Sequence, residues 1–289
     1  MTPTPARITI AVPTFRRPQL LRRALESVAL QRVDGLEVIV ADNATEGDEV
    51  AAVVESARTA LPQIRFFRHE RNIGPLANFM FCLAQASGTY FMWLADDDEL
   101  APGCVAKLAA VLDADPGIVT AVPRWHLMRA PGQVEPMPVR DFRSPAWWRR
   151  IARYGWSADD AFFYALHRAE VLRQATVVPF CWPNRDQVAN LVYGFLVDLV
   201  IRGRVVAIDD PSAFWVNREY GEKTYARDAP TVGARLRHMA RRANLQAIYV
   251  GKIGRLKGPL AALAFVPIGV AAVLRDALAF AWRAAGITR

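Results

Sequence analysis

Short apolar runs alternate with amphipathic stretches along the first 122 residues of the chain. Each run is rich in β-branched or aromatic residues and too short for a helix, which predicts buried strands. The predicted strands span residues 8–12, 36–41, 64–67, 90–95 and 118–122. One predicted helix begins at Pro18, and three more span residues 46–60, 76–86 and 101–112. This alternation predicts an α/β fold, with a mostly parallel sheet flanked by helices.

Polar residues directly follow several predicted strands. Thr14 and Asp42 follow the first and second strands, and the triplet Asp96-Asp97-Asp98 follows the fourth. Ligands of parallel sheets bind beyond the carboxyl ends of the strands, so these residues are predicted to share a site. The sequence contains neither a dinucleotide-type glycine motif after the first strand nor a P-loop. The aspartates therefore predict a divalent cation, Mg²⁺ or Mn²⁺, that neutralises a phosphate ligand; a solvated acidic turn is the alternative.

Positive charge is concentrated in the C-terminal part of the chain. The net charge is +8, and residues 229–289 hold ten Lys or Arg and one acid, so the rest is close to neutral. Residues 259–274 form an apolar run, broken by Pro267 and Gly269, that is shorter than the roughly 20 residues of a spanning helix. Basic residues beside apolar helices favour an anionic membrane surface over nucleic acid. A helical pair buried against the body is the alternative.

The middle of the chain has a different character. Residues 124–180 lose the alternation and gain aromatic side chains, before a predicted helix at 184–202 and a strand at 205–208. The predicted divisions are a body at residues 1–228, with halves 1–123 and 124–228, and a basic, apolar helical tail at residues 229–289. Three separated cysteines and four scattered histidines predict no disulfide framework and no histidine-built metal site, and they fit a reducing compartment. Residues 1–6 show no signal-peptide pattern.

Four blocks of sequence resemble those of a family 2 nucleotide-sugar glycosyltransferase. They are AVPTFRRPQLLRRALESV, VIVADNAT, RNIGPLANF and GTYFMWLADDDEL, in the family's order and spacing within residues 6–115. The resemblance implies an inverting enzyme with the GT-A, Rossmann-like fold. It also implies transfer of a sugar from a nucleotide diphosphate donor, with a UDP-sugar favoured, to a glycan or lipid-linked acceptor.

The resemblance further implies roles for individual residues. Donor-binding positions are Pro13, Thr14, Phe15, Arg17, Asp42, Asn72, Asp96 and Asp97. Phe15 can stack on a pyrimidine and Arg17 can face a phosphate. Asp42 can accept a hydrogen bond from the base, although a plain turn at Asp42-Asn43 is the alternative. Asp98 and Asp96 would ligate the Mn²⁺ or Mg²⁺.

The acceptor side is implied less directly. The family usually places a catalytic base at a helix start beyond the acidic motif, which here selects Asp186; a helix N-cap is the alternative role. Asp159-Asp160 is the reserve candidate. Trp147, Trp148 and Trp156 lie in the family's variable acceptor region, where they can stack on a sugar, sit at a lipid interface or pack in the core.

Two other function classes remain open. A nucleotidyltransferase would normally carry a glycine-rich, basic loop after the first strand, and residues 13–17 contain no glycine. A non-catalytic membrane-surface module of the same fold is the second alternative. The resemblance and the basic tail together predict a cytoplasmic protein that is peripheral at the inner face of the cell membrane, with no nucleic-acid partner.

Overall fold

The computed structural model describes residues 7–130, 133–137, 139–157, 160–178, 188–208, 214–217 and 232–284. The strands are β1 (Ile8–Thr14), β2 (Leu36–Asp42), β3 (Ile64–Arg68), β4 (Tyr90–Trp93), β5 (Asp98–Leu100), β6 (Ile118–Val122), β7 (Trp125–Ala130), β8 (Gln133–Pro136), β9 (Leu166–Arg168), β10 (Arg204–Ala207) and β11 (Phe214–Asn217). The helices are α1 (Pro18–Ala29), α2 (Glu49–Ala57), α3 (Pro75–Gln85), α4 (Cys104–Ala114), α5 (Trp147–Ser157), α6 (Ala169–Arg173), α7 (Val188–Arg202), α8 (Val232–Lys257) and α9 (Pro259–Ala284), with a 3₁₀ turn at Ala161–Tyr164.

The chain forms two compact units that interleave in sequence. The first unit contains residues 1–141, 161–174 and 205–225, and the second contains residues 142–160, 175–204 and 226–289. The predicted division into residues 1–228 and 229–289 stays a prediction.

A seven-stranded sheet in the order β10-β6-β9-β4-β1-β2-β3 forms the centre of the first unit. β1 is parallel to β2 and to β4, and β2 is parallel to β3. β9 is antiparallel to both β4 and β6. The β1 side chains are buried throughout, and α1 turns Leu21 and Leu25 onto the core. The apolar runs therefore form central strands, as expected of a sheet covered on both faces.

A second, four-stranded sheet has the order β5-β11-β7-β8. β11 pairs antiparallel with β5 and parallel with β7. The sequence does not predict this sheet, because its strands are three to six residues long and lack a clear alternation of apolar and polar positions. It brings Asp98, at the start of β5, into a strand rather than a loop.

A buried polar network joins the amino ends of the central strands, opposite the edge that carries the predicted site. Thr9 and Glu37 are paired in register on β1 and β2, and the Thr9 hydroxyl donates to Glu37 Oε2 at 2.5 Å. Arg65 Nη1 donates to Glu37 Oε1 at 2.7 Å, and the Ser87 N–H donates to Oε2 at 2.9 Å. A Cβ on Gly88 would lie 2.7 Å from the Thr9 backbone nitrogen, so the chain can approach this network only with glycine.

Buried ion pairs hold the helices of the second unit together. Lys252 of α8 donates to Asp198 of α7 at 2.6 Å, and both side chains are almost fully buried. Arg242 of α8 pairs with Asp276 of α9 at 2.6 Å. The Gln246 amide donates to the Gly155 carbonyl of α5 at 2.9 Å. Helix α8 is therefore an integral part of this unit, and two of its cations are used within it.

Several predicted boundaries need correction. The strand predicted to reach residue 95 ends at Trp93, and the helix predicted at 46–60 covers only Glu49–Ala57. The helix predicted from residue 101 begins at Cys104, because Gly103 has a left-handed φ of 75° that ends the preceding turn.

The prediction that Pro267 and Gly269 break the apolar run is also wrong. Both lie inside the continuous helix α9. A Cβ on Gly269 would lie 3.2 Å from the Gln246 Cβ, so this glycine allows close packing on α8. Pro267 is exposed on this helix, and its missing N–H removes one helical hydrogen bond.

Candidate active site

The predicted site residues of the first unit converge at the carboxyl ends of β1, β2 and β4. Thr14 and Asp42 are the last residues of β1 and β2 and lie opposite each other in register. The Leu94 N–H donates to the Ala11 carbonyl at 2.9 Å, which extends the pairing beyond β4 and leads the chain into Asp96. The parallel pairing therefore brings polar residues that are distant in sequence to one edge of the sheet.

Arg17 and Thr14 hold the first two aspartates of the triplet. The Thr14 hydroxyl donates to Asp96 Oδ2 at 2.7 Å. Arg17 Nη1 lies 3.1 Å from Asp96 Oδ1 and 3.1 Å from Asp97 Oδ2, so one guanidinium nitrogen bridges both carboxylates. Arg17 directly precedes α1, and its side chain is partly exposed, whereas Asp96 is buried. The Arg17 cation therefore offsets the repulsion between the two carboxylates.

Burial is the largest influence on Asp96 and raises its pKa to about 6. The neighbouring charge of Asp97 adds to that rise, whereas the Thr14 hydrogen bond and Arg17 oppose it. For Arg17, partial burial lowers the pKa, but the charges and hydrogen bonds of the two aspartates outweigh it and raise the pKa overall. The Asp96 carboxyl therefore holds its proton more tightly than an exposed carboxyl does.

Asp42 is fully buried, and protein groups already contact both of its carboxylate oxygens. Oδ1 accepts from the Thr45 N–H at 3.0 Å and from the Thr45 hydroxyl at 2.5 Å. Oδ2 accepts from Arg68 Nε at 3.0 Å. Direct contact between Asp42 and a bound base would therefore require Arg68 or the turn at Thr45 to move. Sequence analysis predicts neither partner: Thr45 ends the block VIVADNAT but is given no role there, and Arg68 lies outside the four blocks.

A second polar link joins the turn after β2 to the segment before α3. Asn43 Nδ2 donates to Asn72 Oδ1 at 3.0 Å, and Asn43 Oδ1 accepts from the Ile73 N–H at 2.9 Å. Asn72 Oδ1 also accepts from the Gly74 N–H at 2.8 Å. The Asn78 amide donates to the Ala41 carbonyl at 2.8 Å and supports the end of β2. Asn72 therefore lies at the carboxyl edge of the sheet, and Asn78 stabilises the end of β2 from the buried side.

The loops at this edge contain strained backbone. Arg16 and Ala44 have φ angles of 57° and 67°, in the left-handed region that non-glycine residues rarely adopt. The Arg16 N–H donates to the Thr45 hydroxyl at 2.8 Å, which ties the two loops together. The Arg16 guanidinium lies 4.9 Å from the centre of the half-buried Phe15 ring, while Pro13 is buried within β1. Strained positions of this kind commonly cluster at functional sites.

The donor chemistry of the triplet suits a hard divalent cation, since Mg²⁺ needs only one or two protein carboxylates besides water and phosphate oxygens. Asp96 and Asp98 are both buried, and the Asp98 N–H donates to the Ala95 carbonyl at 3.1 Å. Among the described residues, no three His, Cys, Asp or Glu side chains form a group that could hold a metal. Metal ligation by Asp96 and Asp98 stays a prediction.

The remaining candidates do not belong to the described part of this edge. Asp186 and Asp159 lie outside the described residues, and Asp160 is partly buried in the second unit. Trp147, Trp148 and Trp156 lie on α5, in the second unit. There the Trp147 ring contacts Phe265, with ring centres 5.7 Å apart, and Lys257 lies 5.6 Å above it. The Arg275 guanidinium lies 4.3 Å from the Trp156 ring centre, and Trp148 is half exposed. Their role in acceptor binding stays a prediction.

The fold of the chain is similar to that of solved structures. S. aureus TarS in complex with UDP-GlcNAc matches with a TM-score of 0.57 and 17% identity, over 86% of this chain and 72% of that chain. Mannosyltransferase PcManGT from Pyrobaculum calidifontis, in complex with GDP-Man and Mn²⁺, matches with a TM-score of 0.51 and 18% identity, over 96% of this chain and 78% of that chain. At these identities the likeness establishes the GT-A fold alone.

Sequence similarity identifies the family. A Campylobacter jejuni protein, GalNAc(5)-diNAcBac-PP-undecaprenol beta-1,3-glucosyltransferase, is 35% identical over 103 residues. The match covers 35% of this chain and 33% of the relative, so the chain spans about a third of that protein's length. The family profile of glycosyl transferase family 2 matches residues 9–169, which is more than half of the chain. The match includes the described edge from Thr14 to Asp98, and the chain therefore belongs to glycosyl transferase family 2.

Proposed function

We propose that the chain transfers a sugar from a nucleoside diphosphate donor, with a UDP-sugar favoured, to a hydroxyl of a glycan or lipid-linked acceptor. The observation that carries this proposal is the cluster of Thr14, Arg17, Asp96 and Asp97 at the carboxyl edge of the sheet. The printed names of the relatives support it, because the S. aureus structure holds UDP-GlcNAc and the C. jejuni relative is named for an undecaprenol-linked substrate.

Donor recognition is divided among the three strand ends. Phe15 offers a half-buried ring on which a pyrimidine base can stack. Asp42, with its partners Thr45 and Arg68, lies on the side of the edge that would hold the base and ribose. Asn72, with its partner Asn43, lies on the same side. Asp42 can bind the base directly only after its own partners shift. Asp96 and Asp97 face the ribose and sugar hydroxyls as hydrogen-bond acceptors.

Arg17 and the triplet bind the diphosphate. Asp98 and Asp96 would hold Mn²⁺ or Mg²⁺, a class of ligand that also occurs in the P. calidifontis structure. Such an ion, when bound, neutralises the diphosphate and stabilises the charge that develops on the departing nucleoside diphosphate. Arg17 Nη1 contacts both Asp96 and Asp97. A donor diphosphate competes with these carboxylates for the guanidinium, which can then form the charge-assisted contacts that Arg makes with phosphate.

The transfer is a single displacement with inversion. The acceptor oxygen attacks the anomeric carbon as the bond from that carbon to the diphosphate oxygen breaks. The acceptor proton passes to the general base, for which Asp186 is our candidate, and the electron pair of the broken bond leaves with the nucleoside diphosphate. The acceptor lipid, the inner face of the cell membrane and an anionic lipid surface form the proposed setting.

Incubation of the full chain with UDP-, GDP- and dTDP-sugars, with and without Mn²⁺, tests the proposed function. We expect release of the nucleoside diphosphate to require the metal and to be fastest with one UDP-sugar, even with water as acceptor. Asp96→Asn is expected to lower turnover by about 100-fold or more, as loss of a preorganised charge contact does in other enzymes.

Asp34→Asn is the matched control, because Asp34 is exposed in the turn before β2 and belongs to no part of the cluster. Release of pyrophosphate in a separate incubation with a nucleoside triphosphate and a sugar 1-phosphate would identify a nucleotidyltransferase. Failure of all three donors to bind or react would contradict the proposal.

A further inference from the structure

One face of α9 is exposed and entirely uncharged. From Pro259 to Leu278, the exposed positions are Pro259, Leu260, Leu263, Ala264, Val266, Pro267, Val270, Ala271, Leu274 and Leu278. The larger of these side chains are between 41 and 81% exposed. Phe265, Gly269 and Ala272 lie on the opposite side of the helix and are buried. A contiguous apolar face of this length marks an interaction surface rather than ordinary surface composition.

By length and composition alone, Pro259–Leu278 could cross a membrane, with a mean hydropathy of 1.8 and 17% of the window buried. A single helix of this kind is weak support for a span. The packing of α8 argues against one, because α8 runs antiparallel along α9. A Cβ on Gly254 would lie 3.4 Å from Ala262, and Arg242 pairs with Asp276 farther along the hairpin. If α9 crossed the hydrocarbon, the buried Arg242–Asp276 pair and the Gln246 amide would enter it too, at considerable cost.

Cations and tryptophans lie beside the apolar face near both of its ends. Lys257 lies over Trp147 just before α9, and Arg275 lies over Trp156 in the last part of the face. Tryptophan and basic side chains are favoured together at the boundary between lipid headgroups and acyl chains. Lys257 is exposed and complements the negative charge of an anionic leaflet, whereas Arg275 also pairs with Asp276 at 2.6 Å.

The apolar face continues into a cleft of about 390 Å³ between α8 and α9. Ala247 and Val250 line it from α8, and Val270 and Leu274 line it from α9. Protein interfaces usually carry several hydrogen bonds, whereas the exposed side chains of this face have no donor or acceptor. Hydrocarbon chains need none, so the face and the cleft match acyl chains better than a protein partner.

We infer that α9 lies in the plane of one leaflet of an anionic lipid bilayer, with its apolar face among the acyl chains and with Lys257 and Arg275 at the headgroups. The biological setting of this inference rests on the proposed function. The inference adds to that function by specifying how the chain contacts a membrane. Docking leaves the fold of the second unit unchanged, because only side chains that are already exposed enter the lipid.

Flotation of the full chain with vesicles of phosphatidylcholine and about a quarter phosphatidylglycerol tests the surface. We expect binding that weakens with salt and with pure phosphatidylcholine. The double variant Leu263→Gln with Leu274→Gln is expected to lower the partition coefficient at least about tenfold. Leu30→Gln is the matched control, because Leu30 is half exposed at the end of α1 and should leave binding unchanged.

Depth measurements separate an in-plane helix from a span. Residues 260 and 274 lie about 20 Å apart along the helix axis. Single cysteines at these positions, in a Cys181→Ser background and labelled with an environment-sensitive fluorophore, should be quenched equally by shallow brominated lipids. Cys82 and Cys104 are buried, and so the label is directed to the introduced sites. Depths that differ by about 20 Å would overturn the inference in favour of a span.

Self-association of the chain without vesicle binding would overturn the inference in favour of a second copy on this face. The double variant should keep its metal-dependent release of UDP in solution, because neither leucine belongs to the donor site. Loss of vesicle binding with donor turnover intact therefore contradicts this inference alone. Absence of donor turnover with vesicle binding intact contradicts the proposed function alone.

Discussion

Asp96 is stabilised as an anion by two neighbours but destabilised by its burial. Thr14 and Arg17 favour the carboxylate, whereas burial and Asp97 favour the neutral acid, and burial prevails because the pKa is raised to about 6. A folded-state pKa above the unfolded value means that the ionised form costs folding free energy. At the residue scale, therefore, the ionised carboxylate of Asp96 lowers the stability of the fold.

This balance predicts a pH dependence of stability. The contribution of Asp96 is fully present below its unfolded pKa and is lost as the pH rises through about 6. Between pH 5 and pH 8, the free energy of unfolding should fall by about 1 kcal/mol more in the unmodified chain than in Asp96→Asn. Urea unfolding of both chains without metal or donor measures this difference. An identical pH dependence in the two would show that Asp96 has an ordinary pKa.

Part of the candidate site could be predicted from the sequence, and its physical basis is clear. Thr14 and Asp42 follow apolar runs that predict buried strands of a mostly parallel sheet. Because the carboxyl ends of parallel strands meet at one edge, the proximity of Thr14 and Asp42 could be predicted. Arg68 and Thr45, which contact Asp42, could not be found in this way. Their contacts depend on loop conformations, including the left-handed backbone at Ala44, that no periodicity encodes.

At the scale of elements, the pairing of β1 with β2 depends on polar contacts as well as apolar packing. Glu37 is buried among Thr9, Arg65 and the Ser87 N–H. Burial raises the pKa of Glu37, but hydrogen bonds from Thr9, Ser87 and Arg65 outweigh that effect and hold the pKa below its usual value. Glu37 thus stabilises the fold above its unfolded pKa, and this contribution is lost as the pH falls through the lower folded pKa.

Replacement of Glu37 should weaken the whole sheet. In Glu37→Gln, an NH₂ group replaces one carboxylate oxygen and cannot accept the hydrogen bonds that this oxygen accepts. We therefore expect a loss of roughly 2 kcal/mol in the free energy of unfolding at pH 7. Glu55→Gln is the control, because Glu55 is exposed and, among the described residues, its side chain pairs only with Arg58 one helical turn away. Such an exposed ion pair is expected to contribute less than about 1 kcal/mol. Equal losses in the two variants, measured by chemical denaturation, would refute the assigned role of the network.

Elements with a strong period could be predicted, and irregular ones could not. Helix α1 turns the predicted face to the core, including Leu21 and Leu25. β5 and β11 are only three and four residues long, and their pairing depends on contacts between distant parts of the chain. Helix α9 runs through both Pro267 and Gly269, and its close approach to α8 at Gly269 is a tertiary contact that local propensity does not contain.

At the scale of the whole molecule, the two units carry different properties. The first contains the carboxylate edge and most of residues 9–169, which match the family, whereas residues 142–160 of that match lie in the second. The second holds α8 and α9, whose cations are divided between buried ion pairs and the ends of an apolar face. We propose that donor chemistry belongs to the first unit and lipid contact to the second.

The central claim is that the carboxylate edge binds a nucleoside diphosphate sugar. Isothermal titration of the full chain with a UDP-sugar and Mn²⁺ measures this binding without the need for an acceptor. We expect saturable one-to-one binding that requires the metal, remains in Asp34→Asn and weakens at least about tenfold in Asp96→Asn. Equal affinity in Asp96→Asn and the unmodified chain would place the donor elsewhere and contradict donor binding at the carboxylate edge.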